Sequence, residues 1–209
     1  MCPRTKEQFE AIRQERNAQI LAAARRLFAQ QGFHSTKMSD IAKAVGVSQG
    51  TIYHYFSSKD DLFMSMFSTW AEQLEEAVTG LPDVPLSATQ KLWMMGRVAT
   101  AFLGADRELL PVFVEFCAYA LHNPKAAANF RDVFQGMRQS VTSILDEGVS
   151  SGEFRPIDTE TLSLLPLIVL DGVILLHPIL GQDVLAPDAI VEQTMRLVLD
   201  GLLVKSEGG

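Results

Sequence analysis

The 209-residue sequence contains only two cysteines, Cys2 and Cys117, and neither belongs to a CxxC pair. One chain therefore offers no disulfide framework and no cysteine-based zinc site. We expect no metal and no other cofactor. The N-terminal residues are charged and lack an apolar core, so they do not read as a signal peptide. These absences favour the reducing cytoplasm.

Catalytic patterns are also missing. The sequence has no GxSxG, no HExxH and no glycine-rich phosphate loop, and its four histidines lack metal-binding spacing. No cysteine stands in a plausible pairing with a histidine. We therefore expect no catalytic residues and a protein that is not an enzyme.

Alternation of apolar and polar residues is absent over any useful length, so β-strands are not expected. Helical spacing dominates, and glycine, proline and Ser/Asn breaks divide it into about nine helices. The predicted helices span residues 7–31, 38–45, 49–56, 59–79, 88–103, 107–121, 124–151, 158–180 and 187–204. The sequence thus predicts an all-α fold.

The most apolar stretch, residues 162–180, is nearly long enough to cross a bilayer. Asp171 lies near its middle and would cost about 2.5–3.5 kcal/mol in a membrane. Pro166, His177 and Pro178 weaken a membrane interpretation further. A helix of a soluble protein that is buried on most sides is favoured, and we expect no membrane partner.

Charge is unevenly distributed along the chain, whose net charge is −7. Residues 1–60 carry nine Lys and Arg against five Asp and Glu, whereas residues 61–209 carry nine against twenty. A basic N-terminal part followed by an acidic remainder indicates that the N-terminal part binds an anionic partner. We predict two domains, 1–60 and 61–209, connected by the helix over residues 59–79.

Residues 41–52 have the features of a helix-turn-helix, in which two short helices pack at a steep angle. Ala42 is small where the helices touch, Gly46 tolerates a positive φ in the turn, and Ser48 is a good N-cap. Apolar anchors for the inner faces are Ile41, Val45, Val47 and Ile52. A helical hairpin that merely packs is the alternative.

The outer face of the second helix of this motif carries polar side chains suited to double-stranded DNA. Gln49 can bond both edge groups of adenine, and the methyl group of Thr51 can touch that of thymine. Lys59 opens the next helix and is expected to hold a phosphate there. The predicted DNA-contacting residues are Thr36, Lys37, Lys43, Ser48, Gln49, Gly50, Thr51, Tyr53, His54 and Lys59.

Residues 32–63, GFHSTKMSDIAKAVGVSQGTIYHYFSSKDDLF, resemble the DNA-binding segment of TetR-family (tetracycline-repressor-like) regulators. The resemblance implies an all-α homodimer of nine or ten helices that binds a palindromic operator. It also implies a C-terminal domain that dimerises through its last two helices and holds a small effector. Lys37 departs from the family, which commonly has Ser or Thr capping the second helix. Thr36 or Ser39 is expected to take over the cap, or Lys37 to reach a phosphate.

Aromatic and polar residues in apolar surroundings are the candidates for an effector site. Phe63, Phe67, Trp70 and Leu74 form one stripe on their helix. The candidate ligand-binding residues are Phe67, Trp70, Trp93, Phe102, Phe113, Glu115, Phe116, Tyr119, His122, Phe134, Asp171 and His177. For each aromatic residue a place in the core is the alternative, and for Glu115, Tyr119 and His122 an internal polar network. We expect an apolar or amphipathic effector.

The last two predicted helices are the candidates for dimerisation, since four such helices from two subunits can form a bundle. The candidate interface residues are Leu176, Ile190, Val191, Thr194, Leu197, Val198 and Gly201. The alternative is that they only cover the core of their own domain.

These features together predict a sequence-specific transcriptional regulator, a repressor released from its operator by a small effector. In this hypothesis the effector moves the helix over residues 59–79 and so changes the spacing of the two recognition helices. The alternative is a constitutive DNA-binding or protein-interaction module with a solid body and no effector.

Overall fold

The computed structural model describes residues 6–105, 108–181, 183 and 186–204, without the side chains of Phe102, Leu103, Ala105 and Pro187. Within these ranges the chain forms ten helices and no strand beyond one isolated bridge, which confirms the all-α prediction. The helices are α1 (Lys6–Gln31), α2 (Met38–Val45), α3 (Gln49–Tyr55), α4 (Lys59–Thr79), α5 (Ala88–Ala105), α6 (Leu109–Ala120), α7 (Pro124–Ser150), α8 (Thr159–Leu162), α9 (Leu164–Leu180) and α10 (Pro187–Leu202).

One predicted helix, residues 158–180, is divided in the structure. Ser163 separates α8 from α9, and Asp158 caps α8 by accepting a 3.1 Å hydrogen bond from the backbone N–H of Thr161. Pro166 has no N–H to donate to the carbonyl of Leu162, so the helical ladder is interrupted one turn before the proline. The other helix ends differ from the predicted ends by at most two residues.

The chain divides into two compact units, Met1–Thr69 and Trp70–Gly209. The division falls inside α4, further along the chain than the boundary predicted at residue 60. We call the described residues of the first unit the head and those of the second unit the body.

The core of the head is built on three phenylalanine rings. Phe28 of α1 lies edge-on to Phe33 and to Phe63, with ring centroids 5.4 and 5.5 Å apart. Phe33 and Phe63 stack at 4.4 Å. All three rings are buried, together with Ile41 of α2 and Ile52 of α3. Aromatic packing of this kind stabilises the small unit beyond the burial of its area alone.

The body is held together by a segment that follows α7 and touches the ends of other helices. Phe154 is buried against Gly148 and pairs with Leu203 in the isolated bridge. The carboxylate of Glu153 accepts hydrogen bonds from the backbone N–H groups of Ala88 (2.9 Å) and Thr89 (3.0 Å) at the start of α5. Burial opposes the ionised form, but these hydrogen bonds outweigh it and lower the pKa of Glu153.

One stretch of the described residues, 159–180, is long and apolar enough to cross a membrane by length and composition. Core helices of soluble proteins meet the same criterion. In this structure Leu167, Leu170, Val173 and Ile174 of α9 are buried inside the body, while the opposite side of the helix is exposed.

Candidate DNA-reading face and body cavity

The turn between α2 and α3 has the geometry that the sequence predicts. Gly46 has φ 74° and ψ 33°, a left-handed conformation that a glycine adopts without steric cost. Ser48 caps α3, because its Oγ accepts a 3.1 Å hydrogen bond from the backbone N–H of Thr51. Ala42 and Ile52 are buried between the helices. These contacts fix the orientation of α3 within the head.

With Ile52 turned inward, the other side of α3 faces solvent. Gln49, Gly50 and His54 are exposed, and 48% of Tyr53 is exposed. Thr51 is half-buried, and its hydroxyl lies 2.8 Å from that of Ser48, so its methyl group is the part left to meet a base. The head therefore presents a short rigid helix whose open face carries amide, hydroxyl and imidazole groups, the donors and acceptors that read base edges and phosphates.

Lys59, which the sequence predicts to hold a phosphate, uses its ammonium within the head. Its Nζ donates to the carbonyl oxygens of Phe33 (2.7 Å), Thr36 (3.0 Å) and His34 (3.2 Å), and it lies 4.4 Å from the centroid of the Phe33 ring. An ammonium group has three N–H donors, and all three have partners here. In this structure Lys59 fastens the turn that leads from α1 into α2.

Thr36 is likewise part of the interior of the head rather than its surface. Its side chain is 1% exposed, its hydroxyl donates to the carbonyl of Gly32 (2.8 Å), and it accepts from the side-chain amide of Gln31 (3.1 Å). The sequence reasoning placed Thr36 with the phosphate contacts because it considered residue type and not burial.

Lys37 and Lys43 are exposed and stand on the same small motif. Lys37 occupies the N-cap position of α2, and the predicted replacement caps do not form there. Asp40 instead accepts a 3.0 Å hydrogen bond from the backbone N–H of Lys37, which is one half of a capping box. The ammonium of Lys37 is therefore not needed for the cap.

The body contains an apolar cavity that opens to solvent on one side. Its volume is about 840 Å³ when the space at the open side is included. We call it the body cavity. Its walls come from α4, α5, α7, α9 and α10 and from the last residue of α8. The lining residues are Leu74, Val78, Leu92, Met95, Gly96, Ala99, Met137, Val141, Leu145, Leu162, Pro166, Leu167, Val169, Leu170, Val191, Thr194, Met195 and Val198.

Among the predicted ligand-binding residues whose side chains the structure describes, none lines the body cavity. Trp70 and Phe113 border a smaller pocket of about 330 Å³, with their ring centroids 5.2 Å apart. Trp93 and Phe134 are half-buried against the core. The remaining described candidates are Phe67 and Phe116, which are buried, Glu115, Tyr119, Asp171 and His177, which are half-buried, and His122, which is exposed. The side chain of Phe102 lies outside the described residues.

Tyr119, one of the polar candidates of α6, has a hydrogen-bond partner outside the predicted set. The hydroxyl of Tyr119 accepts a 2.7 Å hydrogen bond from the side-chain amide of Asn123, while His122 is exposed. This arrangement favours a local network at the end of α6 for Tyr119. It does not place these groups on the body cavity.

The pKa of Asp171 on α9 is changed by its apolar surroundings. Burial raises its pKa from 3.8 to about 6. Burial and then the charge of Asp171 raise the pKa of the Cys117 thiol on α6 from 9.0 to about 11. Cys117 is thus kept in its protonated, unreactive form.

The predicted interface residues fall on two faces of the last helices. Val191, Thr194 and Val198 of α10 turn inward and line the body cavity, a role for which sequence reasoning had no signal because all of α10 reads as one apolar stripe. Leu197 is 74% exposed, Leu176 is exposed, Gly201 is exposed, and Ile190 is half-buried. Exposed apolar residues of α9 form a continuous stripe: Leu165, Ile168, Leu175, Leu176 and Ile179. We call this stripe the α9 outer face.

Comparisons with known proteins agree with this architecture. The model of bacterial regulatory proteins of the tetR family matches residues 20–66, and that of the BetI-type transcriptional repressor C-terminal domain matches residues 88–203. The HTH-type transcriptional regulator UidR of Escherichia coli K12 is 30% identical over 198 residues, which are 92% of this chain and 95% of UidR.

Two solved structures are similar over nearly the whole chain. The transcriptional regulator FadR from Bacillus subtilis in complex with stearoyl-CoA has a TM-score of 0.76 at 25% identity, covering 88% of this chain and 98% of that one. A putative transcriptional regulator from Saccharomonospora viridis in complex with choline has a TM-score of 0.80 at 21% identity, covering 92% and 100%. The second likeness shows a shared fold.

Proposed function

The chain belongs to the TetR family and is a DNA-binding transcriptional regulator, and on that premise we propose that it is a repressor released from a palindromic operator by a small effector. It acts in the cytoplasm as a homodimer. The exposed polar face of α3, held by buried anchors in a basic N-terminal segment, carries the proposal. In a dimer, two such helices enter successive major grooves about 34–36 Å apart.

Base reading is assigned to Gln49 and Thr51, and phosphate contact to Lys37, Lys43, Tyr53 and His54. The assignment rests on exposure and on donor and acceptor chemistry. Lys59 and Thr36 keep the supporting roles that their hydrogen bonds give them.

The body cavity supports an effector and weighs against the alternative of a constitutive module with a solid body. Leu74 and Val78 of α4 belong to its wall, and α4 begins at Lys59 in the head. An occupant that favours one placement of α4 over another has the differential affinity that allosteric release requires. FadR of Bacillus subtilis was crystallised with stearoyl-CoA, and the Saccharomonospora viridis regulator was crystallised with choline.

The α9 outer face supports dimerisation. Ile168 is 58% exposed and Ile179 is 70% exposed, on a stripe that leaves a whole side of an apolar helix in water. We expect Ile168→Glu to convert the dimer to monomers in sedimentation velocity and to abolish operator binding. Leu121→Glu, at the end of α6 where 81% of the side chain is exposed, is the matched control and leaves the dimer intact.

Selection from random duplex DNA tests the function directly. We expect enrichment of a palindrome, with log K falling against log[salt] at a slope of about −0.9 per phosphate contacted. Gln49→Ala should relax base preference at one position of each half-site without changing that slope. Weak binding without enrichment, both before and after unfolding and refolding to remove bound ligand, contradicts the proposal.

A further inference from the structure

The lining of the body cavity is unusual within this chain. Its described part consists of eighteen residues, of which Thr194 is the only one with a polar side chain. The sequence contains seventeen aromatic residues, made up of twelve Phe, three Tyr and two Trp, and none of those whose side chains the structure describes lines the cavity. The described wall is therefore aliphatic and thioether surface, with no charge and one hydroxyl.

Such a wall selects among ligand chemistries. A charged group placed inside would lose its hydration without gaining an ion pair, which is strongly unfavourable. A quaternary ammonium is normally held by aromatic faces, and the residues that the structure describes in the lining supply none. Three methionines, Met95, Met137 and Met195, give the wall a flexible surface that adapts to a chain of varying shape.

We propose that the body cavity binds a single unbranched aliphatic chain and leaves any charged end of its ligand at the open side. The inference deepens the proposed effector function and rests on it for its biological role. Thr194 offers one hydrogen bond to a neutral polar group, so the end groups of an alcohol and a carboxylic acid contribute differently to binding. Both share the chain that the cavity recognises.

Gly96 is the residue that keeps one side of the cavity open. A Cβ at Gly96 would lie 3.4 Å from Cγ of Met195 and 3.6 Å from Cγ1 of Val191, both of which belong to the lining. A larger side chain at this position therefore projects between α5 and α10. At Gly104 on the same helix, a Cβ meets nothing within 4 Å.

Calorimetric titration of the full-length protein tests the proposal with n-alkanols from butanol to dodecanol. We expect affinity to rise about fourfold per added methylene until the chain fills the cavity, and then to level off. For n-alkanoates of the same chain lengths we expect the same rise in affinity per methylene, with every affinity shifted by one constant factor. Choline and naphthalene are expected to release no heat. Equal affinity along the series, or tighter binding of choline or naphthalene than of decanol, overturns the proposal.

Two variants locate the binding. Gly96→Val is expected to weaken decanol binding at least tenfold, and Gly104→Val leaves it unchanged. Val198→Ala enlarges the cavity, and we expect the affinity to level off at a longer chain, a gain that misfolding does not produce. If Gly96→Val and Val198→Ala both leave the series unchanged, the chain binds elsewhere and the assignment fails.

The failure of this proposal is distinguishable from the failure of the proposed function. Alkanols that bind in the series pattern without changing operator affinity support the cavity assignment and contradict effector release through it. A ligand of another class that releases the operator, while alkanols do not bind, supports the proposed function and contradicts the cavity assignment.

Discussion

The head and the body place their functional surfaces in opposite environments. In the head, a seven-residue helix exposes polar side chains, while the buried Thr36 and the half-buried Lys59 form hydrogen bonds that hold the turn between α1 and α2. In the body, long helices line the solvent-open body cavity with aliphatic side chains. A surface that reads DNA needs exact orientation supplied by hydrogen bonds, whereas a cavity for an apolar molecule needs only space and packing. The two units should therefore respond differently to the loss of a hydrogen bond and to the loss of space.

The largest effect is expected where the body is most tightly packed. In Gly148→Ala the added Cβ would stand 2.1 Å from Cδ2 and 2.3 Å from Cε2 of the buried Phe154 ring. The ring has to move, and we expect a loss of about 3 kcal/mol in the free energy of unfolding, measured by thermal denaturation. Gly104→Ala is the control, since nothing lies within 4 Å of its Cβ. A matching stability for the two variants is the contrary outcome, and Gly148→Ala combined with Phe154→Leu should recover part of the loss.

The head should suffer most from losing Lys59. Lys59→Met removes three hydrogen bonds from a charged donor, and we expect a loss of about 2 kcal/mol, seen as faster hydrogen exchange in residues 32–45. The salt slope of operator binding should stay the same, because the three N–H donors of the ammonium are taken by carbonyl groups of the head.

Lys43→Met supplies the contrast, since Lys43 is exposed. We expect it to leave hydrogen exchange unchanged and to reduce the salt slope by about 0.9 for each phosphate that the lysine neutralises in the parent protein. A reduced slope in Lys59→Met together with unchanged exchange indicates that Lys59 holds a phosphate after all.

An effect of similar size, with a defined pH dependence, is expected from Asp171. Its pKa is about 6 in the folded body against 3.8 ordinarily, so the folded state binds the proton more tightly. Stability from this group is therefore present below about pH 4 and is lost as pH rises towards 6. Asp171→Asn should match the parent near pH 4 and be more stable by about 2 kcal/mol near pH 7, after allowance for partial exposure. A constant difference at all pH values means that Asp171 does not titrate in this way.

The smallest effect concerns the cap of α3. Ser48→Ala removes the acceptor for the Thr51 N–H and should cost about 1 kcal/mol. We expect weaker operator binding through fraying of the first turn of α3, with the body unchanged in hydrogen exchange. Ser39→Ala, at an exposed position of α2, is the control and should bind as the parent does. Equal binding by both variants shows that the DNA itself holds α3 in place.

Sequence reasoning succeeded where local chemistry decides structure. The positive φ of Gly46, the cap at Ser48 and the burial of Ile52 each follow from the requirements of a tight turn between two short helices. The role of Lys59 was missed because its partners are carbonyl groups 23 to 26 residues earlier in the chain, and carbonyl direction leaves no mark on residue type.

The lining of the body cavity was missed for a different reason. Aromatic residues were expected to line it, yet Trp70, Trp93 and Phe134 pack against the core. The described lining comes from aliphatic residues on six helices, and their meeting depends on tertiary structure. Val191 and Val198 look identical to interface residues in an apolar stripe. Which side of α10 meets its own subunit is decided by helix packing, which periodicity does not contain.

The link between Glu153 and the start of α5 has a consequence for the order of folding during synthesis. The acceptors for the N–H groups of Ala88 and Thr89 lie 65 and 64 residues further along the chain. When α5 emerges from the ribosome, its first turn has only local hydrogen bonds, such as those between Ser87 and Gln90. The N–H groups of Ala88 and Thr89 have to wait until α7 is complete and Glu153 follows it. The head depends on contacts of short range, so we expect it to reach its native form while the body is still being translated. A nascent chain of this regulator is competent in its DNA-reading helix before it has any cavity with which to sense a ligand.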